Sequence, residues 1–444
     1  MTKSIIYQIA LSFMLLIHGC NTQSEIEIQN MQSKNISEHT MHVSIEEAKA
    51  KLLIFMDELS DQTRSNERRK IANITTLGGN LDSRSSDISI TEPLIYLFNF
   101  EDNEGYALVS GDRRVHDILA FVEKGHLDPN KGTDNPGLAI FLSNIDIYYR
   151  HMTGLPIYSE QETGTPMVCN DGDDYNPDID EDYVEYSDWT TTGEYGNKIN
   201  CTWGQNSPFN NYCYTDNGEQ AVAGCVAIAV AQIMFYHGLN YTYNGTLYDW
   251  NIIRGTTGSY TGTQESRDMA ARLVADLGKP ENLDMNYGTE TSGASNENVA
   301  RTFYNFGYTS VGSLQDFDGN TLSLRTNPLY VSGYARRQTI LDTILGVPVT
   351  NYYHTSGHSW VIDTKLTQRR YKYTYLYNGV LAKTEIEDRY LYHCNWGWNG
   401  QDDGYYLANA FDTVYGPEVR STSYWEGYDG YYRFLLKMIP DIKP

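Results

Sequence analysis

The chain has 444 residues, which allows two or three domains with buried cores. Its 33 Lys and Arg residues against 57 Asp and Glu residues give a formal net charge of −24, with histidine neutral. Nucleic-acid binders need a dense basic surface, so this charge argues against nucleic acid as a partner and against peripheral docking on anionic membranes. Apolar residues make up 40% and charged residues 20%, a composition that excludes a fibrous or wholly disordered chain.

The amino-terminal segment has the features of an export signal. Lys3 precedes an apolar stretch that ends at Ile17 and is too short to span a bilayer comfortably. A glycine directly before Cys20 resembles a bacterial lipoprotein signal, in which Cys20 would carry a lipid; an ordinary cleaved signal is the alternative. We therefore predict a signal over residues 1–20 and a location at the outer membrane or cell surface, or outside the cell. A lipid on Cys20 would be the sole membrane contact.

A polar tether is predicted over residues 21–42, followed by a small α+β domain over residues 43–160. Ser44 and Glu47 form a capping-box pattern at the start of a helix. Apolar residues then recur at helical spacing, namely Ala48, Leu52, Phe55 and Leu59. Three short apolar runs predict an antiparallel sheet: Leu94–Phe100, Tyr106–Ser110 and Ile118–Val122. The polar stretch from Ser60 to Asp87 indicates a loop, and residues 138–152 indicate a second helix.

An acidic break separates this domain from the rest. Nine Asp and Glu residues, and no Lys or Arg, lie between Asp171 and Asp188. Such a run repels itself and predicts an exposed linker over residues 161–190, open to proteolysis. A calcium site is the alternative, but the run lacks the acid spacing of a helix–loop–helix site. Residues 191–444 then form a second, Tyr- and Gly-rich domain.

The second domain contains a candidate nucleophile. Cys225 follows a glycine and opens a long apolar segment of helix-forming residues. The start of a helix presents unpaired amides and a partial positive charge, which favours a thiolate and lowers the pKa of a cysteine there. A small buried hydrophobic residue is the plain alternative for such a cysteine.

A histidine and an asparagine follow Cys225 at spacings typical of a cysteine protease. His358 lies in a Ser-Gly-His-Ser-Trp segment that leads into a strand-like run, 133 residues after Cys225. Papain-like cysteine proteases separate the two groups by about 130–150 residues. Asn395 and Trp396 lie further on, where such enzymes place the side chains that orient the imidazole. The three segments in this order favour a cysteine protease.

The sequence resembles the streptopain family of secreted bacterial cysteine peptidases, a branch of the papain-like fold. The matching segments in the second domain are Trp203-Gly204-Gln205, Gly224-Cys225-Val226-Ala227, Gly357-His358-Ser359-Trp360 and Asn395-Trp396-Gly397-Trp398. The first domain is similar to that family's inhibitory prodomain at Glu46-Glu47-Ala48 and from Gly105 to Arg113. The resemblance covers roughly residues 43–438. It implies an α+β zymogen that hydrolyses protein or peptide substrates and is held inactive by its own prodomain.

The resemblance also implies roles for individual residues. Cys225 would be the nucleophile and His358 its general base and then acid, by way of an acyl-enzyme. The backbone N–H of Cys225 and the side-chain amide of Gln205 would stabilise the oxyanion. Either Asn395 or Trp396 would orient the imidazole. For contacts around the substrate, the resemblance implies Trp398 as a shield over the imidazole and Gly357 as backbone that pairs with an extended substrate.

Two features depart from the family pattern or stay unassigned. Residues Leu366–Glu387 follow the histidine segment as an insert, which predicts an added hairpin.

Four further cysteines have no assigned role: Cys169, Cys201, Cys213 and Cys394. Among their possible disulfide pairings, Cys201–Cys213 would close the shortest loop. No cofactor or metal is expected, because the chain has no Cys-x-x-Cys or paired Cys/His spacing.

Two other functions are compatible with parts of the sequence. The chain could be a catalytically inactive homologue that acts as a protease inhibitor or binding module through its first domain, although intact motifs around Cys225 and His358 argue against this. It could also be a transglutaminase-like acyltransferase, but such enzymes place an acidic third residue where this chain has Asn395 and Trp396.

Overall fold

The computed structural model describes residues 41–63, 69–78, 94–155, 183–317, 322–334, 343–344, 347–348, 357–376, 379–411 and 436–444. The predicted signal with Cys20, residues 21–40 of the predicted tether and the acidic run up to residue 182 lie outside these residues. The chain divides into two units at residue 44, and both predicted domains lie in the second unit.

The described residues form helices and strands in both predicted domains. The helices are α1 (Ile45–Thr63), α2 (Pro136–Thr153), α3 (Cys225–His237), α4 (Trp250–Ile253), α5 (Gln264–Leu277) and α6 (Asn298–Asn305). The strands of the first domain and linker are β1 (Ile71–Leu77), β2 (Ile95–Phe100), β3 (Tyr106–Ser110), β4 (Ile118–Val122), β5 (Tyr183–Tyr186) and β6 (Thr190–Gly196). None of these helices has the length and apolarity needed to cross a membrane.

The strands of the second domain include two that are unusually long. They are β7 (Tyr241–Tyr243), β8 (Thr246–Tyr248), β9 (Gln315–Asp316), β10 (Leu329–Tyr334), β11 (Thr343–Ile344), β12 (Val347–Pro348), β13 (Gly357–Tyr375), β14 (Leu381–Asn395), β15 (Gly404–Leu407) and β16 (Lys437–Ile439). The mixture of helices packed on an antiparallel sheet confirms the predicted α+β class.

One antiparallel sheet runs through both domains. Its strand order is β1-β2-β3-β4-β15-β14-β13-β10-β16-β9, with β5 and β6 paired to β13. The junction is the ladder between β4 and β15, where Val122 to Ala120 pair with Gly404 to Tyr406. The sequence predicted a separate small sheet for the first domain, and this was wrong in one respect: the sheet continues into the second domain. Pairing between strands almost 300 residues apart leaves no local pattern in the sequence.

The first domain otherwise has the predicted elements. The hydroxyl of Ser44 accepts a hydrogen bond from the backbone N–H of Glu47 at 3.2 Å, which caps α1. The carboxylate of Glu47 does not complete the capping box; it receives both Nη atoms of Arg113, at 2.5 and 2.6 Å. The helical face of Ala48, Leu52 and Phe55 is buried. Strands β2, β3 and β4 and helix α2 confirm the remaining predictions.

Strand β1 lies within the stretch that the sequence indicated as a loop, and that prediction was wrong. Its residues pair antiparallel with β2, from Ile71 opposite Phe100 to Leu77 opposite Ile95. Most of its side chains are exposed because β1 is the edge of the sheet. An edge strand needs few apolar residues, so its polar composition resembled that of a loop.

The predicted hairpin is confirmed, and it is long. Strands β13 and β14 pair from Val361–Asn395 to Tyr375–Leu381, so the insert extends the two strands away from His358 and Asn395. The opposite edge of β13 pairs with β6 and then with β5. The carboxyl-terminal end of the predicted linker, from Tyr183 onward, is therefore paired with the sheet, although the side chains of Glu185, Tyr186 and Asp188 remain exposed.

Two buried clusters lie on opposite sides of β13. Trp360 and Ile362 belong to the cluster that includes α2 and the strands of the first domain. Val361 belongs to the cluster built around α3, α5 and α6. Alternate residues of a strand point to opposite faces of a sheet, so β13 contributes to both cores.

Candidate active site

Helix α3 begins at Cys225 because the preceding residue is a glycine. Gly224 has φ of +86°, a conformation that residues with a Cβ atom rarely adopt. A Cβ at this position would also overlap the Met285 methyl group and lie 3.0 Å from the carbonyl oxygen of Ser292. The next ten residues of the helix are buried. The apolar run thus anchors the helix in the core and leaves Cys225 half-buried at its amino-terminal end.

The thiol of Cys225 lies against Ser359 on β13. Burial raises the pKa of the Cys225 thiol, and hydrogen bonds from Ser359 and from the Val226 amide only partly offset this. The lowered pKa that the helix N-terminus predicted is therefore absent in this structure. Loss of water around a thiolate outweighs the helix amides here, because the charged form of a thiol is the one that burial disfavours.

Ser359 is held by a buried hydrogen-bond chain that the sequence analysis missed. Its hydroxyl lies 2.7 Å from the hydroxyl of Tyr330, and Tyr330 donates to the side-chain oxygen of Asn296 at 2.5 Å. All three side chains are buried. Only the register between β10 and β13 brings Tyr330 to Ser359, so no sequence spacing could have identified this group.

His358 lies in an aromatic site on the other face of β13. Its Nε2 atom donates to the carbonyl oxygen of Trp396 at 2.9 Å. The ring is stacked on Trp360, with centroids 6.2 Å apart, and the ring of Trp398 meets it edge-on at 6.4 Å. Burial lowers the pKa of His358 to about 4, so the imidazole is neutral at pH 7.

Cys225 and His358 are thus close in the fold but not paired. Within the described residues no hydrogen bond joins them, since successive residues of β13 turn Ser359 toward the thiol and His358 away from it. With a raised thiol pKa and a lowered imidazole pKa, both groups are neutral. The structure therefore contains the two groups in an arrangement without a thiolate–imidazolium pair.

Asn395 and Trp396 have different surroundings. The amide of Asn395 donates to the carbonyl of Cys201 at 2.8 Å and accepts from Gln232 at 2.8 Å and from the Gly397 amide at 3.1 Å. The Asn395 side chain is used in these three hydrogen bonds, none of which involves His358. It is the backbone carbonyl of Trp396 that binds the imidazole.

Gln205, Trp398 and Gly357 lie around the same region. The carbonyl of Gln205 accepts from the Ala223 amide at 2.9 Å, which brings its segment beside the start of α3 despite the separation in sequence. Gln205 and Trp398 line a cavity of about 370 Å³, whose other wall is formed by His126 and residues 132–134 of the first domain. Gly357 pairs with Tyr334 of β10, so that edge of its backbone is occupied.

The first domain covers the loop that carries the Trp396 carbonyl. Glu123 donates its amide to the carbonyl of Asp403 at 2.8 Å, and Asp402 donates its amide to the carbonyl of Lys124 at 3.0 Å. Gly137, near the start of α2, leaves space that the Trp396 ring fills. The partner of His358 is therefore fixed by contacts from the first domain.

The other cysteines that the structure describes are free. Cys201, Cys213 and Cys394 are buried thiols, so the suggested Cys201–Cys213 disulfide was wrong. Burial raises the pKa of each of the three thiols, which makes them poor nucleophiles. Cys169 lies outside the described residues. Across the described ranges, no group of three or more His, Cys, Asp or Glu residues is arranged to hold a metal ion.

Comparison with known families accounts for both domains. The sequence model of the Peptidase C10 family matches residues 203–406, which include Cys225, His358 and Asn395. A second model, described as Spi protease inhibitor, matches residues 33–148.

Individual proteins are also similar to this chain in sequence or in structure. Streptopain of Streptococcus pyogenes is 26% identical over 359 residues, which cover 72% of this chain and 74% of streptopain. The thiol protease/hemagglutinin PrtT of Porphyromonas gingivalis is 25% identical over 334 residues, 72% of this chain and 34% of PrtT. Among solved structures, a fragment of prointerpain A of Prevotella intermedia is 19% identical with a TM-score of 0.48, covering 84% of this chain and 99% of the fragment.

A cysteine at the start of a buried helix, a histidine on the adjacent strand and a preceding inhibitor-type domain match the family assignments. Residues 203–406 match the Peptidase C10 family and residues 33–148 match a protease-inhibitor domain, so the chain resembles streptopain over both domains and is a cysteine-type peptidase with an inhibitory prodomain.

Proposed function

We propose that the chain is an exported cysteine endopeptidase made as a zymogen, with Cys225 as nucleophile and His358 as its base. The observation that carries the proposal is the contact between the Cys225 thiol and Ser359, the residue next to His358 on β13. The strand that faces the thiol already bears the imidazole, one position away and on the opposite face.

Activation then consists of moving His358 to the face of β13 that Ser359 now occupies. The hydrogen bond from His358 to the Trp396 carbonyl opposes this movement, and prodomain contacts at Asp402 and Asp403 hold the loop that carries the carbonyl. Loss of the prodomain frees this loop. The zymogen is inactive because its nucleophile and base are both neutral and separated.

In the active arrangement the imidazole takes the thiol proton, and the thiolate attacks the scissile carbonyl carbon. The backbone N–H of Cys225 and the side-chain amide of Gln205 bind the developing oxyanion. The imidazolium gives its proton to the leaving amine, and an acyl-enzyme remains. Water then gives a proton to His358 and attacks the thioester, which releases the carboxylic acid and restores the thiol–imidazole pair.

The other predicted residues have supporting roles in this scheme. Trp398, already edge-on to the imidazole, shields it from water, and the Trp396 carbonyl or the Asn395 amide orients it. The hydrogen bonds of Asn395 to Gln232 and Gly397 favour a role in holding the loop. Gly357 contributes backbone to an extended substrate once its pairing with β10 changes.

The expected substrates are proteins or peptides, and the prodomain is the expected intramolecular inhibitor. Export rests on the signal features around Lys3 and Ile17, and a lipid on Cys20 would leave the enzyme at the outer membrane or cell surface. Without the lipid the enzyme would be secreted.

The test compares the wild-type chain with Cys225→Ala, each expressed without residues 1–20 and incubated under reducing conditions with casein. Wild type should lose its first ~150 residues, degrade casein and be inhibited by an irreversible thiol-directed epoxide, whereas Cys225→Ala should stay intact and inert. His358→Ala should behave like Cys225→Ala. If wild type leaves casein uncut even after an added protease has cleaved the acidic linker, the peptidase proposal is wrong.

A further inference from the structure

A second cluster of polar groups lies on the inserted hairpin, away from Cys225. Arg389 of β14 is buried, with 2% of its side chain exposed. Its guanidinium forms an ion pair with Asp117 and donates through Nε to the side-chain oxygen of Gln368 at 2.8 Å. The guanidinium carbon also lies 4.4 Å from the ring centroid of Trp189. Because Arg389 is buried and has these partners, it is part of a preformed binding site and does not form a mere surface ion pair.

The same site binds a second carboxylate. Glu58 of α1 accepts from the Thr191 amide at 3.1 Å, from the Thr191 hydroxyl at 2.7 Å and from the Gln368 amide at 3.0 Å. We name Arg389, Gln368, Thr191 and Trp189 the hairpin site. All the donors belong to the hairpin site, and both carboxylates, Asp117 and Glu58, belong to the prodomain.

The hairpin site stays assembled when the prodomain leaves. Gln368 pairs with Thr191 in the β13–β6 ladder, and Arg389 lies opposite Gln368 in the β13–β14 ladder. Departure of the prodomain removes both carboxylates and no donor. A guanidinium without a carboxylate in a partly buried site is costly, so the empty site favours any ligand that supplies carboxylates.

We propose that the hairpin site is a carboxylate-binding exosite of the processed peptidase, and that its ligand is an acidic segment of a protein substrate. In the zymogen the prodomain occupies it through Glu58 and Asp117. Arg370, whose guanidinium carbon lies 4.6 Å from the ring centroid of Trp189, is paired with Glu387 at 2.7 Å and leaves Arg389 as the cation of the site. This assigns the β13–β14 hairpin, to which the insert contributes Gln368, to the selection of substrates, and it rests on the proposed peptidase function.

The exosite acts only on long substrates. Gln368 is ten residues from His358 along β13, which at about 3.3 Å per residue corresponds to roughly 33 Å. A peptide of a few residues cannot span this distance, whereas a folded or extended protein chain can. The exosite therefore lowers KM for proteins with an acidic segment and leaves short peptides unaffected.

The test uses processed enzyme and two fusion proteins that differ only in a tail of six Glu or six Gln residues, placed about 15 residues from one cleavable sequence. Wild type should cleave the Glu protein with a KM about tenfold lower and an unchanged kcat. Arg389→Gln should lose this preference but cleave a short peptide normally. Arg272→Gln, which removes an exposed arginine paired with Asp268 on α5, should keep the preference.

Two further measurements separate the possible failures. Thr191→Val deletes one hydroxyl donor and keeps Arg389, so it should reduce the preference partly even if Arg389→Gln folds poorly. Fluorescence anisotropy of labelled hexaglutamate with the processed chain measures binding without cleavage. If neither fusion protein is cut but hexaglutamate binds wild type and not Arg389→Gln, the peptidase proposal fails and the exosite stands. Equal KM values for the two fusion proteins, or equal hexaglutamate binding by both enzymes, would overturn the exosite.

Discussion

Asn135 and Asp402 join the prodomain to the peptidase through a hydrogen bond of 3.1 Å between Nδ2 and Oδ2. The side-chain oxygen of the same asparagine caps α2 by accepting from the Gly137 amide at 2.9 Å. Asp402 receives a further hydrogen bond from the Tyr106 hydroxyl at 3.0 Å. The Asn135 side chain thus caps α2, the helix that packs on Trp396. It also binds the loop whose Trp396 carbonyl accepts the hydrogen bond from His358.

Asn135→Asp should weaken the prodomain without removing the cap. An aspartate keeps the acceptor for the Gly137 amide, loses the donor to Asp402 and places a second carboxylate beside it. We expect prodomain release to be about tenfold faster, which corresponds to about 1.4 kcal/mol. The measurement is the rate at which activity appears after an added protease cleaves the acidic linker.

A double variant in which the side chains at positions 135 and 402 are exchanged provides the control for Asn135→Asp. In the double variant Asn135→Asp, Asp402→Asn, an amide again faces a carboxylate, so release should return toward the wild-type rate. Thr263→Ala, which removes the cap of α5 through the Ser266 amide, should leave release unchanged. A double variant that releases the prodomain as fast as the single one would contradict the role of this hydrogen bond.

The pH dependence of zymogen stability should contain a contribution from Asp402. Burial raises the pKa of Asp402 to about 6, against an ordinary value of 3.8, and repulsion from Asp134 acts in the same direction. A raised carboxyl pKa stabilises the folded state fully below about 3.8, and this stabilisation is lost as the pH rises through about 6.

Thermal or denaturant unfolding of Cys225→Ala, with and without Asp402→Asn, measures this contribution. Between pH 4 and pH 7 the protein that keeps Asp402 should lose up to about 3 kcal/mol of stability relative to the protein that carries Asp402→Asn. Groups that titrate in both proteins and lie far from Asp402 cancel in the difference. A difference that does not change with pH would show that Asp402 keeps an ordinary pKa.

The reactivity of Cys225 should change with processing. In the intact chain burial raises the thiol pKa, so alkylation by iodoacetamide should remain slow at pH 7 and increase only at a pH above the ordinary range for a thiol. After processing, pairing with His358 should extend the reaction to about pH 5, because the thiolate then persists. Mass spectrometry of the alkylated peptide measures both profiles. His358→Ala should lack the low-pH reaction, and an intact chain that reacts rapidly at pH 5 would rule out the neutral thiol.

Gly224→Ala, at the start of α3, should lower the stability of the protein more than the same substitution at a comparable glycine elsewhere. Gly218 also has a positive φ, of +82°, but a Cβ there would meet no atom within 4 Å. Gly218→Ala should therefore cost about 1 kcal/mol of stability through backbone strain alone. Gly224→Ala adds overlap with Met285 and a close approach to Ser292, so about 2–3 kcal/mol and loss of activity are expected. Unfolding in the Cys225→Ala background compares the two, and equal losses would contradict the packing argument.

Local patterns in the sequence predicted most of the local structure. The capping residue Ser44, the apolar run after Cys225 and the turn-bounded insert each determine an element through neighbouring residues, and each element was confirmed. Strand β1 was missed because an exposed edge requires few apolar side chains. The continuity of the sheet through β4 and β15 depends on residues almost 300 positions apart, which no periodicity reports.

For the candidate site, the sequence could propose residues but not their geometry. Motifs identified Cys225, His358 and Trp398, and the structure brings them to one region. Which of two adjacent residues, His358 or Ser359, faces the thiol depends on the register of β13 against β10, and a shift of one residue exchanges the faces. The sequence likewise gives only the ordinary pKa values of a cysteine and a histidine. It contains no information on burial, which decides the charge of Cys225 and His358.

The ladder between β4 and β15 has a consequence for the time course of activation. Cutting the acidic linker breaks a peptide bond but none of the hydrogen bonds that hold Val122 to Ala120 against Gly404 to Tyr406. Scission and gain of activity are therefore separate events, the second being a first-order dissociation whose rate does not depend on how much activating protease is present. If the chain acts as the proposed zymogen, this ladder imposes a delay between the cut and the first turnover.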